Sequence, residues 1–163
     1  MSVVVIIGNP SPGGRTSRTG AAVGAAIAAA RGEGEAEVIE LATIARGLFE
    51  WGNPTVAELT AKVAAADVIV ATSPTFKATY SGLLKAFLDN YGNDALAGCK
   101  AVPVMLGAAP QHALAPEVHL RPLLVELGAS VPTRGLYVLE NQVDDLDSIV
   151  AAWAEKATPL LVG

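Results

Sequence analysis

The run Asp67-Val68-Ile69-Val70-Ala71-Thr72, continued by Ser73-Pro74-Thr75-Phe76-Lys77-Ala78-Thr79-Tyr80-Ser81-Gly82, decides how this chain folds. Its first part is apolar without interruption between turn signals. That is the pattern of a strand covered on both faces, as in a parallel sheet with helices on each side. Its second part leads into a helix near Leu83, so it lies at the strand's carboxyl end, where sheets of this kind place their ligands. Pro74 fixes one φ angle there, and Gly82 is expected to let backbone approach whatever is bound. Lys77 stands just before a helix start, where a cation opposes the macrodipole by about 0.3–1 kcal/mol, so a compensating anion or dipole is expected nearby. A solvated loop lysine would give the same sequence.

Working outward, Val3-Val4-Val5-Ile6-Ile7 is a first buried strand, ended by Gly8-Asn9-Pro10. A helix of small residues is expected from about Ser17 to Ala30, stopped by Gly32 and Gly34. Ala36 to Leu41 reads as the second strand, while Ala42 to Pro54 has no clear period and carries Phe49 and Trp51, either exposed for a subunit contact or buried. Val56, Leu59 and Val63 set a short helix over Thr55 to Ala65. Leu83, Leu84, Phe87, Leu88 and Tyr91 form a helical stripe, and Lys100 to Leu106 is the fourth strand. Gln111 to Leu127 is helical in composition but interrupted by Pro116 and Pro122, so a broken helix is expected. Val131 to Leu139 reads as the fifth strand, and Leu146 to Leu161 as a closing helix behind the acidic cap region Asp144-Asp145. Five alternations of strand and helix, with right-handed crossovers, predict one α/β domain over residues 1–163. It is a three-layer sandwich of flavodoxin type, with a five-stranded parallel sheet in the order 2-1-3-4-5.

Composition narrows the function. With 163 residues, 52% apolar and 17% charged, the chain can bury a large core. A net charge of −5 without a basic run argues against nucleic acid. The longest apolar stretches are strand-length, and the start has neither a basic region nor a cleavage site, so no membrane association and a cytoplasmic location are expected. The single cysteine, Cys99, fits a reducing compartment and reads as a small apolar residue at a strand entrance. His112 and His119 have no ligand cluster around them, so no metal site is expected.

The predicted topology brings three loops to one rim: Asn9 to Ser17, Ser73 to Ser81, and Gly107 to His112. In the first, a helix start, the hydroxyls of Thr16 and Ser17, and the Arg15 guanidinium all favour a phosphate. A plain N-cap serine or threonine would look the same. The loop is neither a dinucleotide fingerprint nor a Walker loop, and strand one is not followed by the acidic cluster of a receiver domain. One phosphate site facing two loops rich in Gly, Pro and Ala suits a mononucleotide with a planar, mostly uncharged head group, and FMN matches best.

Three motifs then combine: Gly8-Asn9-Pro10 with Arg15-Thr16-Ser17, the stretch Ser73 to Lys85, and His112 with Leu120-Arg121-Pro122-Leu123-Leu124. Together they resemble the NADPH-dependent FMN reductase family over nearly the whole chain. The nearest branch is the sulfonate-metabolism type that supplies reduced flavin to monooxygenases. The resemblance implies that Asn9, Pro10, Ser11, Arg15, Thr16 and Ser17 hold the FMN phosphate. By the same reading Pro74, Thr75, Phe76, Lys77 and Ala78 line the isoalloxazine, with Gly107, Ala108 and Ala109 on its other side and His112 in the same loop region. It implies hydride transfer from NADPH or NADH with no catalytic acid or base, a homodimer or homotetramer, and a monooxygenase partner. Val118 stands where some members carry a tyrosine or histidine in the broken helix. Two other readings remain open: a reductase that keeps its FMN and passes electrons to a quinone, azo dye or metal ion, and an electron carrier. The carrier reading lacks the Thr-x-Thr-Gly-x-Thr run of flavodoxins.

Overall fold

Parallel strands need cover on both faces, and here the alternation of side chains supplies it. The computed structural model describes residues 2–162; Met1 and Gly163, the ends of the expected span, lie outside the described residues. Strands β1 (Val3–Ile7), β2 (Glu37–Glu40), β3 (Val68–Pro74), β4 (Lys100–Gly107) and β5 (Leu136–Leu139) form one parallel sheet in the order β2-β1-β3-β4-β5, as predicted. Val3, Val5, Ile7, Val68, Val70, Val102 and Val104 face one core, shared with helices α1 (Arg15–Ala30) and α5 (Leu146–Leu161). Val4, Ile6, Ile69, Ala71, Ala101 and Met105 face the other. That second core is closed by α2 (Pro54–Ala64), α3 (Gly82–Leu88), α4 (Arg121–Glu126) and a 3-10 helix over Leu41–Phe49.

α1 lies close on the sheet because Gly20 and Gly24 face it: a Cβ at Gly24 would stand 2.4 Å from Val5 Cγ2. Its start is Arg15, two residues before the expected Ser17. The stretch without a clear period is the 3-10 helix, in which only Leu41 and Leu48 are buried. β3 runs on to Pro74, so this proline closes the strand rather than opening the loop. Gly82 is exposed, with open space where a Cβ would sit, which overturns the expected close approach there. The tight spot is Gly8, where a Cβ would stand 2.6 Å from Leu84 Cβ.

The broken helix is real and has three parts: a 3-10 turn at Pro110–His112, a π-helix at Pro116–Leu120, and α4. The fifth strand is shorter than expected, four residues in place of nine, for reasons taken up below. Cys99 is buried, and its thiol, pushed up by burial, donates to the Ala64 carbonyl at 3.3 Å. Phe49 and Trp51, left open above, are exposed.

Candidate functional site

The carboxyl ends of β1, β3, β4 and β5 form one rim, and hydrogen bonds between the loops fix it. Gly8 N–H donates to the Thr72 carbonyl at 2.8 Å, and Thr75 N–H donates to the Leu106 carbonyl at 2.6 Å. Ser81, 1% exposed, is the joint: its hydroxyl donates to the Gly8 carbonyl and accepts from Leu84 N–H at 3.1 Å, so it ties the first loop to α3. Ser81 N–H in turn donates to Ser73 Oγ at 2.8 Å.

A cleft of about 270 Å³ opens on this rim, walled by Asn9, Arg15, Thr16, Pro74, Phe76, Leu106 and Glu140. The start of α1 faces it. The N-cap residue is Gly14, no side chain caps the helix, and first-turn N–H groups have no intrahelical acceptor. Asn9 Nδ2 donates to Thr16 Oγ1 at 2.8 Å, which leaves the threonine hydroxyl its own proton to give. Asn9 Oδ1 accepts from Ser11 N–H at 3.0 Å and so shapes the loop. Ser17 points inward instead: its Oγ, together with Glu40 Oε1, accepts from Gly13 N–H at 3.0 and 3.2 Å. This corner therefore combines a helix dipole, a guanidinium, an oriented hydroxyl and free amides, a donor set suited to a phosphate-sized anion.

Beside the cleft the chain makes a tight turn. Phe76 and Thr79 exchange backbone hydrogen bonds at 2.9 and 3.3 Å, and Lys77 and Ala78 between them have φ of 51° and 70°. Glycine or asparagine would normally fill such positions, and each L side chain there costs about 1–2 kcal/mol. The turn is held all the same, and it presents half-exposed Phe76 and exposed Lys77 and Ala78. Lys77 is at the turn's tip, five residues before α3, so it does not sit at a helix entrance.

Of the residues singled out from sequence, Asn9, Arg15, Thr16, Pro74 and Phe76 come together as walls of the cleft. Pro10 and Ser11 are exposed on the loop outside it. Gly107 and Ala109 stand behind, against Tyr137: its hydroxyl donates to the Ala109 carbonyl at 2.7 Å, and a Cβ at Gly107 would stand 2.0 Å from it. Burial pushes the Tyr137 hydroxyl up, with the Thr75 hydroxyl opposing, so it serves as a neutral donor at pH 7. Ala108 is exposed, and His112 ends the 3-10 turn, half-buried, outside the cleft walls.

Leu106, Tyr137 and Glu140 were missed. Leu106 and Glu140 sit at the carboxyl ends of β4 and β5, so the rule that pointed to the other loops could have found both. Glu140 Oε2 lies 3.8 Å from Arg15 Nη1, a solvent-exposed pair. Among the described residues no group of three or more His, Cys, Asp or Glu side chains is placed to hold a metal ion, and no helix is long and apolar enough to cross a membrane.

Comparison with known proteins shows the family and the fold. Residues 1–144 match the family model described as NADPH-dependent FMN reductase. An FMN reductase (NADPH) of Escherichia coli (strain K12) is 33% identical over 93 residues; the match takes in 57% of this chain, and the chain spans about half (49%) of that relative's length. An FMN reductase (NADPH) of Pseudomonas aeruginosa is 31% identical, with 79% of this chain and 76% of the relative covered. The solved apo form of an NADH:FMN oxidoreductase (EMOB) superposes with a TM-score of 0.81 at 26% identity, covering 94% of this chain and 88% of that one.

Proposed function

The chain belongs to the NADPH-dependent FMN reductase family, and on that footing we propose that it is an NAD(P)H-dependent FMN reductase whose flavin sits on the rim just described. The observation that carries this is the convergence of Asn9, Arg15 and Thr16 at the uncapped start of α1, opposite the strained turn that bears Phe76. A cleft of about 270 Å³ is small for a whole ligand site and suits the polar tail of a mononucleotide, with the turn beside it for a flat head group.

In this reading Arg15, Thr16 and the first amides of α1 hold the phosphate, and Asn9 keeps the Thr16 hydroxyl turned to donate. The Phe76–Thr79 turn, fixed through Thr75 N–H on the Leu106 carbonyl, positions the ring edge. Tyr137 holds the back of the loop after β4. When bound, the flavin supplies an acceptor for hydride from the nicotinamide, so the protein's part is stacking, orientation and exclusion of water. The relatives' names cover both NADPH and NADH as reductant, and either is proposed here. A monooxygenase that consumes the reduced flavin, a homodimer or homotetramer, and a cytoplasmic setting complete the proposal. The resemblance to the sulfonate-metabolism branch supports the partner and the oligomer, and the lone buried Cys99 supports the setting.

The test is a titration of purified protein with FMN, followed by NADPH and NADH oxidation. The expected result is saturable FMN binding and oxidation that rises with added FMN. Oxidation indifferent to added FMN, with quinone or azo acceptors turned over instead, would replace this reading by a retained-flavin reductase.

A further inference from the structure

Glu140 is the acidic wall of a cleft otherwise furnished for an anion. It shares that cleft with Asn9, Arg15 and Thr16, and its carboxylate lies 3.8 Å from the Arg15 guanidinium. The backbone delivers it there: Leu139 ends β5, and the 3-10 turn Glu140–Asp145 follows at once, with Leu139 N–H donating to Gln142 Oε1 at 3.3 Å. Stability does not explain the pair. Both side chains are about half exposed or more, 64% and 45%, and exposed ion pairs of this kind add little to folding.

We propose that Glu140 sets how tightly a phosphorylated flavin is held, and that it does so by weakening the hold. The inference rests on the FMN reading of the rim. Two effects act in the same direction. The carboxylate competes for Arg15, so an incoming phosphate must displace it from the guanidinium. Once the phosphate is on Arg15, a negative charge on the neighbouring wall repels a group that carries nearly two. Both effects need the phosphate, and neither touches the ring system. Glu140 therefore discriminates between flavins with and without phosphate, and it favours FMN as an exchangeable substrate over FMN as a resident group.

The experiment compares FMN and riboflavin binding to the wild-type chain and to Glu140→Gln, by flavin fluorescence at low and high salt. Glu140 is exposed, so the variant is expected to fold, and a melting curve checks this. The FMN dissociation constant is expected to fall about five- to tenfold in Glu140→Gln at low ionic strength, and less at high salt, since exposed charges are screened. Riboflavin affinity is expected to stay within about twofold. An unchanged FMN affinity, a weaker one, or an equal gain for riboflavin overturns the proposal; a weaker one would mean that Glu140 positions Arg15 for binding. If the wild-type chain takes up FMN and oxidises NADPH while Glu140→Gln binds FMN no better, only this inference falls. A wild-type chain that does not bind FMN overturns the functional reading and this one with it.

Discussion

Ser81 carries more of the rim than any side chain that faces the cleft. Its one oxygen serves the Gly8 carbonyl and the Leu84 amide, both buried, and removing it leaves each without a partner. Unpaired buried groups cost about 1–3 kcal/mol each, and loss of an N-cap costs about 1 kcal/mol within that sum. Ser81→Ala is therefore expected to lower stability by about 2–3 kcal/mol in a denaturant titration and to loosen the contact between the first loop and α3. A loss below about 0.5 kcal/mol would show that water or a shifted backbone replaces the hydroxyl. At this scale the sequence was half legible. Thr16 and Arg15 could be read because a hydroxyl and a guanidinium at a helix start have a known use. Ser81 looked like one more loop serine, since its partner Gly8 is 73 positions away. The left-handed turn at Lys77 and Ala78 was hidden for the opposite reason: neither residue type favours the conformation that the surrounding contacts impose.

Among the elements, the segment before β5 departs most from expectation. Val131 to Leu139 reads as one strand, yet the hydrogen bonds of residues 131–135 go elsewhere. Arg121 Nη1 donates to the Val131 carbonyl at 2.6 Å and Nη2 to the Thr133 carbonyl at 2.5 Å, so the guanidinium takes acceptors that a ladder would use. On the sheet side, Ala101 N–H donates to the Ser130 carbonyl, and the two-residue period turns position 103 the same way. That position is Pro103, which has no N–H to give. The sheet resumes only at Leu136, opposite Val104. Part of this was legible, because Pro132 and Gly135 stand inside the segment and argue against a central strand there; Arg121 and Pro103 lie outside it and leave no mark on its pattern.

Glu117 locks the arrangement: it accepts from Arg121 Nε and from Gly135 N–H, each at 2.6 Å, and so joins the π-helix to the start of β5. The Arg121 hydrogen bond, and then the Gly135 amide, hold its carboxyl below the ordinary carboxylate range, with Arg134 adding a little. A group depressed on folding stabilises above its unfolded value, near 4.3, and that contribution is lost as pH falls through the folded value. Glu117→Gln is expected to cost about 1 kcal/mol at pH 7, and the gap to wild type should close as pH drops below about 4.5. Parallel stability curves down to pH 3 would mean that the carboxylate charge is not what joins the two elements.

For the molecule as a whole, the division of labour follows from the sheet. Both faces are spent on packing, with side chains of β1, β3 and β4 alternating between two cores, so ligand chemistry is confined to the strand ends. That much was legible from the apolar runs of β1, β3 and β4 and from the alternation of strand and helix, because continuous burial on both faces leaves a plain mark in composition. The loops that make the rim are joined to the cores through Gly8, Ser81, Thr75 and Tyr137, so binding there should be felt by the global unfolding transition. A ligand at about one hundred times its dissociation constant adds about 2.7 kcal/mol to the folded state. For a chain of this size each kcal/mol raises Tm by about 2–4 °C, so FMN at that excess should raise it by about 5–11 °C. Riboflavin at the same concentration lacks the group that Arg15, Thr16 and the helix start would hold, and its shift should be clearly smaller. Equal shifts would place recognition in the Phe76–Thr79 turn alone and take the phosphate corner out of the site.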